Sequence, residues 1–123
     1  MFTITKEFTF SASHTLAGLA AGHQCARLHG HNYRVRLQIS AAELDAHGMV
    51  IDYGDLRPFG DWVDAWLDHR HLNDQLPEDV NPTAERLAEH LAGVARQHLA
   101  LPDGVTLAVG VSETPKTWAW WTP

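Results

Sequence analysis

The chemistry in this 123-residue chain concentrates in Cys25-Ala26-Arg27-Leu28-His29-Gly30-His31, a stretch that packs together a thiol, a guanidinium and two imidazoles. In a strand, residues i and i+2 point to one face about 6.6 Å apart, so His29 and His31 can share one metal ion. Gly30 between them leaves the opposite face open to a backbone or a ligand. A catalytic Zn²⁺ takes three protein ligands and keeps one position for water or substrate, so a third ligand must come from elsewhere. His14 is the leading candidate, because it ends an alternating run through Phe2, Ile4, Phe8, Phe10 and Ala12. The competing reading makes His29 and His31 loop-surface histidines and His14 a strand end with no metal near. The single cysteine excludes a cysteine-rich structural zinc site.

Three further positions carry reactive groups. Cys25, close to Arg27 and to any bound cation, would be favoured as thiolate and could act as base or nucleophile; isolated, it would be an inert small hydrophobe. Asp68-His69 offers an imidazole oriented by a carboxylate. Neighbouring helical residues point about 100° apart, so that contact needs non-helical backbone, and the alternative is a solvated helix end. Glu113 ends an apolar strand and could accept two donors of a guanidine-like ring side by side, or simply face water. Thr83 and Glu85 read first as residues of a helix's first turn.

The elements that must position these groups follow from periodicity. Phe2 to His14 alternates as a strand, with the even positions inward apart from Lys6. Leu16 to Gln24 is an Ala/Gly-rich loop. His31, Tyr33, Val35, Leu37 and Ile39 share one face of a second strand, and Ala46-His47-Gly48 predicts a turn into an antiparallel hairpin with Met49-Val50-Ile51. A helix is expected from Asp55, as its cap, with a stripe of Leu56, Phe59, Val63, Trp66 and Leu67. A second should open at Asn81-Pro82-Thr83, with proline at the first helical position, and present Ala84, Leu87, Ala88, Leu91, Val94, Ala95 and His98. Val105 to Glu113 is the last clear strand, and Trp118-Ala119-Trp120-Trp121 is too aromatic for a free tail. This order predicts one α+β domain over 1–123, an antiparallel sheet with two helices packed on one side.

Composition narrows the function. With 45% apolar residues the chain is not disordered, and a formal charge of -6 argues against binding to a phosphate backbone, hence no nucleic-acid partner. The charged, alternating N-terminus is unlike a signal peptide, no apolar run is long enough for a bilayer, and the lone cysteine fits a reducing compartment. The expectation is a cytoplasmic protein with no membrane partner.

F-S-A-S-H at 10 to 14, G-H-Q-C-A-R-L-H-G-H at 22 to 31, V-I-D-Y at 50 to 53, L-D-H-R-H-L-N-D at 67 to 74, N-P-T-A-E at 81 to 85 and S-E-T at 112 to 114 together resemble the 6-pyruvoyl-tetrahydropterin synthase / 6-carboxy-5,6,7,8-tetrahydropterin synthase family. The C-x-x-x-H-G-H spacing is similar to the 6-carboxy branch. The resemblance implies the tunnelling fold in a homo-oligomer, trimer or hexamer, with sites at subunit boundaries. It implies Zn²⁺ on His14, His29 and His31, Cys25 as proton acceptor, and Asp68 with His69 as a relay for a second proton. Glu113, with Thr83 of the N-P-T-A-E segment, would hold the pterin. The implied substrate is 7,8-dihydroneopterin triphosphate, cleaved with loss of acetaldehyde and triphosphate on the way to queuosine and other deazapurines. The pyruvoyl-forming reaction, which only eliminates triphosphate, and a non-catalytic zinc-containing pterin-binding protein are the alternatives. The Trp-rich segment after Pro115 is bulkier than the tail associated with the family.

Overall fold

A computed structural model describes residues 1–123. Two long strands, β1 (Phe2–His14) and β2 (His29–Ala41), pair antiparallel along their whole length, from Phe2 opposite Ala41 to His14 opposite His29. Alternation explains their burial. Phe10, Ala12 and His14 of β1 and Tyr33, Val35, Leu37 and Ile39 of β2 are buried on one face, while Arg34, Arg36 and Gln38 keep the solvent side.

After β2 the chain turns through Asp45–Met49, but residues 49–51 do not pair as a strand. Val50 and Ile51 are buried as single side chains in an irregular segment, and the partner expected for them beside β2 is instead β4 (Thr106–Ser112), antiparallel. A 3₁₀ turn over 53–56 is capped by Asp52, which accepts from the Gly54 amide at 2.8 Å, rather than by Asp55. Helix α1 (Arg57–Trp66) follows with Pro58 in its first turn. Leu56, Phe59, Val63 and Leu67 form its fully buried stripe. Trp66, expected in that stripe, is 54% exposed, since its angular position carries it past the sheet.

The segment after α1 is more structured than its polarity suggests. Arg70–His71 forms a short strand, β3, parallel to β1, so the sheet is mixed rather than purely antiparallel. A single turn, α2 (Leu72–Gln75), follows. Helix α3 (Ala84–His98) begins two residues later than expected. Thr83 is its cap, accepting from the Arg86 amide, and Pro82 lies outside. Leu87, Ala88, Leu91, Ala92, Val94 and Ala95 bury its inner stripe, whereas His98 is exposed. The Trp-rich segment supplies β5 (Ala119–Trp121), an edge strand on β4. Trp120 lies flat over Gly110, where a Cβ would sit 2.7 Å from the indole.

The sheet order is β3-β1-β2-β4-β5, with the helices packed on one face over a continuous core. This is the α+β tunnelling fold. No helix is long and apolar enough to cross a membrane.

Candidate metal centre and proton relay

The pairing of β1 with β2 builds the centre. Register places His14 opposite His29, and period-2 alternation puts His31 on the same inner face. One ligand nitrogen from each of the three lies within 4.8 Å of the others. Their rings meet edge to face, with centroids 4.5, 4.9 and 5.1 Å apart. His14 is completely buried; His29 and His31 are half-buried.

Hydrogen bonds settle which nitrogens are available. His14 Nδ1 lies 2.8 Å from the Pro82 carbonyl and His29 Nδ1 lies 2.6 Å from the Arg27 carbonyl. A carbonyl only accepts, so both Nδ1 atoms carry the proton and both Nε2 atoms present lone pairs. Those two Nε2 atoms face each other at 2.8 Å, so their lone pairs repel unless a proton or a metal cation lies between them. His31 Nε2 is buried with no hydrogen-bond partner, which is costly unless something binds it. Burial lowers the pKa of His14 and of His31, opposed by the nearby Glu113 carboxylate, and the neutral imidazole is the form that ligates. Tied outer nitrogens, converging inner ones and an orphaned third are what a nitrogen-ligated metal such as Zn²⁺ needs.

Glu113 follows directly on β4, its carboxylate 3.6 Å from His31 Nε2. Thr83 and Glu113 wall a cavity of about 240 Å³ between the end of β4 and the start of α3. The two residues expected to hold the substrate ring are therefore together. Tyr33, which no motif singled out, brings its hydroxyl 3.3 Å from His14 Nδ1, and burial raises its pKa.

The Asp68-His69 contact exists because the backbone leaves the helix. His69 has φ of 57°, the only non-glycine residue in the left-handed region. Its amide donates to the Ser11 carbonyl at 2.6 Å, and its Nδ1 lies 2.9 Å from Asp68 Oδ2. The other Asp68 oxygen accepts from the Ser11 amide at 2.9 Å. That bond first, and the His69 bond second, hold the Asp68 pKa below the usual carboxylate range. The His69 side chain is 82% exposed, so its far nitrogen is open to a reacting partner.

Cys25 sits apart from these groups. It lies in a single 3₁₀ turn over 24–26, half-buried, and its Sγ is outside the three-histidine group. Its carbonyl accepts from the Leu16 amide at 3.3 Å, which closes the 16–25 loop on itself. Two asparagines shape that loop, and the sequence reading assigned neither of them this work. Asn73 binds both the amide and the carbonyl of Thr15, each at 2.9 Å. Asn81 does the same for Ala17, at 2.9 and 3.1 Å. Their signal was their place inside L-N-D and N-P-T, where a side-chain amide can replace a missing strand partner.

The comparisons agree with this geometry. Over 93 residues the chain is 39% identical to a 6-carboxy-5,6,7,8-tetrahydropterin synthase of Synechocystis sp., covering 72% of this chain and 70% of that one. The enzyme of that name from Rickettsia typhi is 32% identical over 109 residues, 74% of this chain and 78% of the relative. A structure of Caenorhabditis elegans 6-pyruvoyl tetrahydropterin synthase superimposes with a TM-score of 0.86 at 25% identity, covering 99% of this chain and 95% of that one. Residues 3–123 match the 6-pyruvoyl tetrahydropterin synthase family, and with three convergent histidines in the fold of that family, the chain belongs to it.

Proposed function

We propose that the chain is a zinc-dependent 6-carboxy-5,6,7,8-tetrahydropterin synthase, a carbon-carbon lyase acting on 7,8-dihydroneopterin triphosphate. The observation that carries this is the triad's lone-pair geometry, two Nε2 atoms at 2.8 Å with both Nδ1 protons committed to carbonyls. It is supported by relatives bearing that enzyme's name at up to 39% identity.

His14, His29 and His31 would hold Zn²⁺ through Nε2. When bound, the ion supplies Lewis acidity to the hydroxyl oxygens of the substrate side chain. Glu113 would accept two donors of the pterin edge, with the Thr83 hydroxyl beside it, and so orient the side chain toward the histidines. Cys25 would take the carbon-bound proton next to the acidified hydroxyl. His69 would exchange the second proton through Nε2, while Asp68 holds Nδ1 and stabilises the imidazolium. Products and substrate differ by one water, so acetaldehyde, triphosphate and the 6-carboxy pterin form without a redox cofactor.

Cys25 lies outside the histidine group and the His69 ring faces outward. We therefore read the working unit as a homo-oligomer, a trimer or hexamer, in which a neighbouring copy completes each site. Sedimentation that gives only monomer in active protein would overturn this.

The test is incubation of zinc-loaded protein with dihydroneopterin triphosphate, with mass analysis of the pterin and trapping of acetaldehyde. The 6-carboxy product with stoichiometric acetaldehyde is expected. A pyruvoyl product without acetaldehyde would assign the other branch, and unchanged substrate would leave a zinc-containing pterin binder.

A further inference from the structure

We propose that Asn73 and Asn81 are positioning residues for Cys25: together they clamp the root of the 16–25 loop and so hold the thiol at its working position, which rests on the reading of Cys25 as the proton acceptor. The loop needs an external frame. Every residue from Ala17 to Gln24 is exposed, and Gly18 and Gly22 take left-handed backbone at φ of 79° and 82°. Burial orders none of this stretch, so its position is set by hydrogen bonds.

Each asparagine meets both backbone polar groups of one residue. Asn73 Oδ1 accepts from the Thr15 amide and Nδ2 donates to the Thr15 carbonyl, both at 2.9 Å. Asn81 repeats the pattern on Ala17, at 2.9 and 3.1 Å. One acceptor and one donor side by side are what a hydrogen-bonded partner in an antiparallel strand would supply, so the side-chain amides continue the pairing of β1 past its end without adding charge. Leu16 stands between the two pinned residues, and its amide donates to the Cys25 carbonyl at 3.3 Å. The Cys25 amide donates in turn to His23 Nδ1 at 3.0 Å. The cysteine backbone therefore hangs from a residue that is held on both sides.

The clamps belong to segments that already serve the site. The Asp68 carboxylate and the His69 amide bind the two backbone groups of Ser11, Arg70 and His71 pair with Ala12 and Ser13, and Asn73 takes Thr15. One run from 68 to 73 thus tracks the chain from 11 to 15, with the relay at one end and a loop clamp at the other. Asn81 precedes Pro82, whose carbonyl fixes the His14 tautomer. On the far side of the cysteine, the Arg27 carbonyl accepts from His29 Nδ1 at 2.6 Å. Thiol, relay and histidines are thereby referenced to the same two segments, and a displacement of the thiol by about 1 Å is enough to cost about 10²-fold in rate.

The experiment compares the zinc-loaded full-length parent with Asn73→Ala, Asn81→Ala, Cys25→Ala and the Asn81→Ala/Cys25→Ala double variant, by amide hydrogen exchange, zinc analysis and kinetics on dihydroneopterin triphosphate. Each asparagine variant should exchange the amides of residues 15–25 about tenfold faster than the parent, with exchange in β2 and α3 unchanged. Zinc should be retained, and kcat should fall about ten- to a hundredfold with KM within about threefold. Because the clamp acts through the thiol, Asn81→Ala should change kcat by less than about twofold when Cys25 is already alanine, whereas a general structural loss would cost the same in both backgrounds. Asn81, whose bonds are the more exposed of the two pairs, carries the test should Asn73→Ala misfold. Parent-like loop exchange or parent-like kcat in Asn81→Ala, its full loss persisting in the Cys25→Ala background, or loss of zinc overturns the proposal. Faster exchange confined to the loop of Asn81→Ala, in a protein whose parent turns nothing over, upholds the clamp on Cys25 and refutes the reaction.

Discussion

The molecule contains two clusters of histidine and aromatic rings, and they differ in what the ring nitrogens face. In the first, His14, His29 and His31 converge, with outer nitrogens tied to the Pro82 and Arg27 carbonyls. In the second, between α1 and α3, the indole of Trp62 approaches both His90 and His98, at 6.2 and 6.3 Å between centroids. There each imidazole neighbours an indole rather than another imidazole, and burial lowers the His90 pKa. Histidine density is equal in kind; a site arises only where carbonyls fix the tautomers and leave lone pairs pointed at one another.

The largest effect that could break the comparison is His29→Ala. Zinc by elemental analysis should fall from about one per chain to background and turnover should vanish; undiminished zinc would dissolve the distinction between the clusters. Cys25→Ala should lower kcat by about 10²–10⁴-fold with zinc retained, and parent-like turnover would remove the thiol from the reaction. Trp62→Ala should leave zinc untouched and lower stability by about 2 kcal/mol, read as a drop in Tm; loss of metal in that variant would mean the two clusters are coupled.

The smallest effect is on pH. His90 titrates below 6.5 in the folded protein, so as pH falls through 6.5 the unfolded chain binds the proton first and stability declines, while above 6.5 this contribution is constant. His90→Gln should therefore show a shallower acid limb in melting temperature than the parent. Identical limbs would contradict the burial of a neutral imidazole there.

Much of the centre was legible from spacing. Parity in β1 and β2 places His14, His29 and His31 on the buried face whatever the rest of the fold does, and the F-S-A-S-H and H-G-H segments carry that parity. The hairpin expected at Met49–Ile51 failed because a short apolar run reads the same whether it pairs or is buried singly. The start of α3 slipped by two because Asn, Pro and Thr are all acceptable at a helix entry; Asn81 was taken by Ala17, and Thr83 became the cap.

What the sequence determined by itself is the set of reactive groups and the face each strand presents, because alternation is a local property of extended backbone. Only the tertiary structure decided that His14 pairs opposite His29, that a carbonyl 68 positions along the chain fixes its tautomer, and that His69 adopts a left-handed backbone to meet Asp68. Those outcomes depend on contacts between distant segments, whose energies no local pattern records.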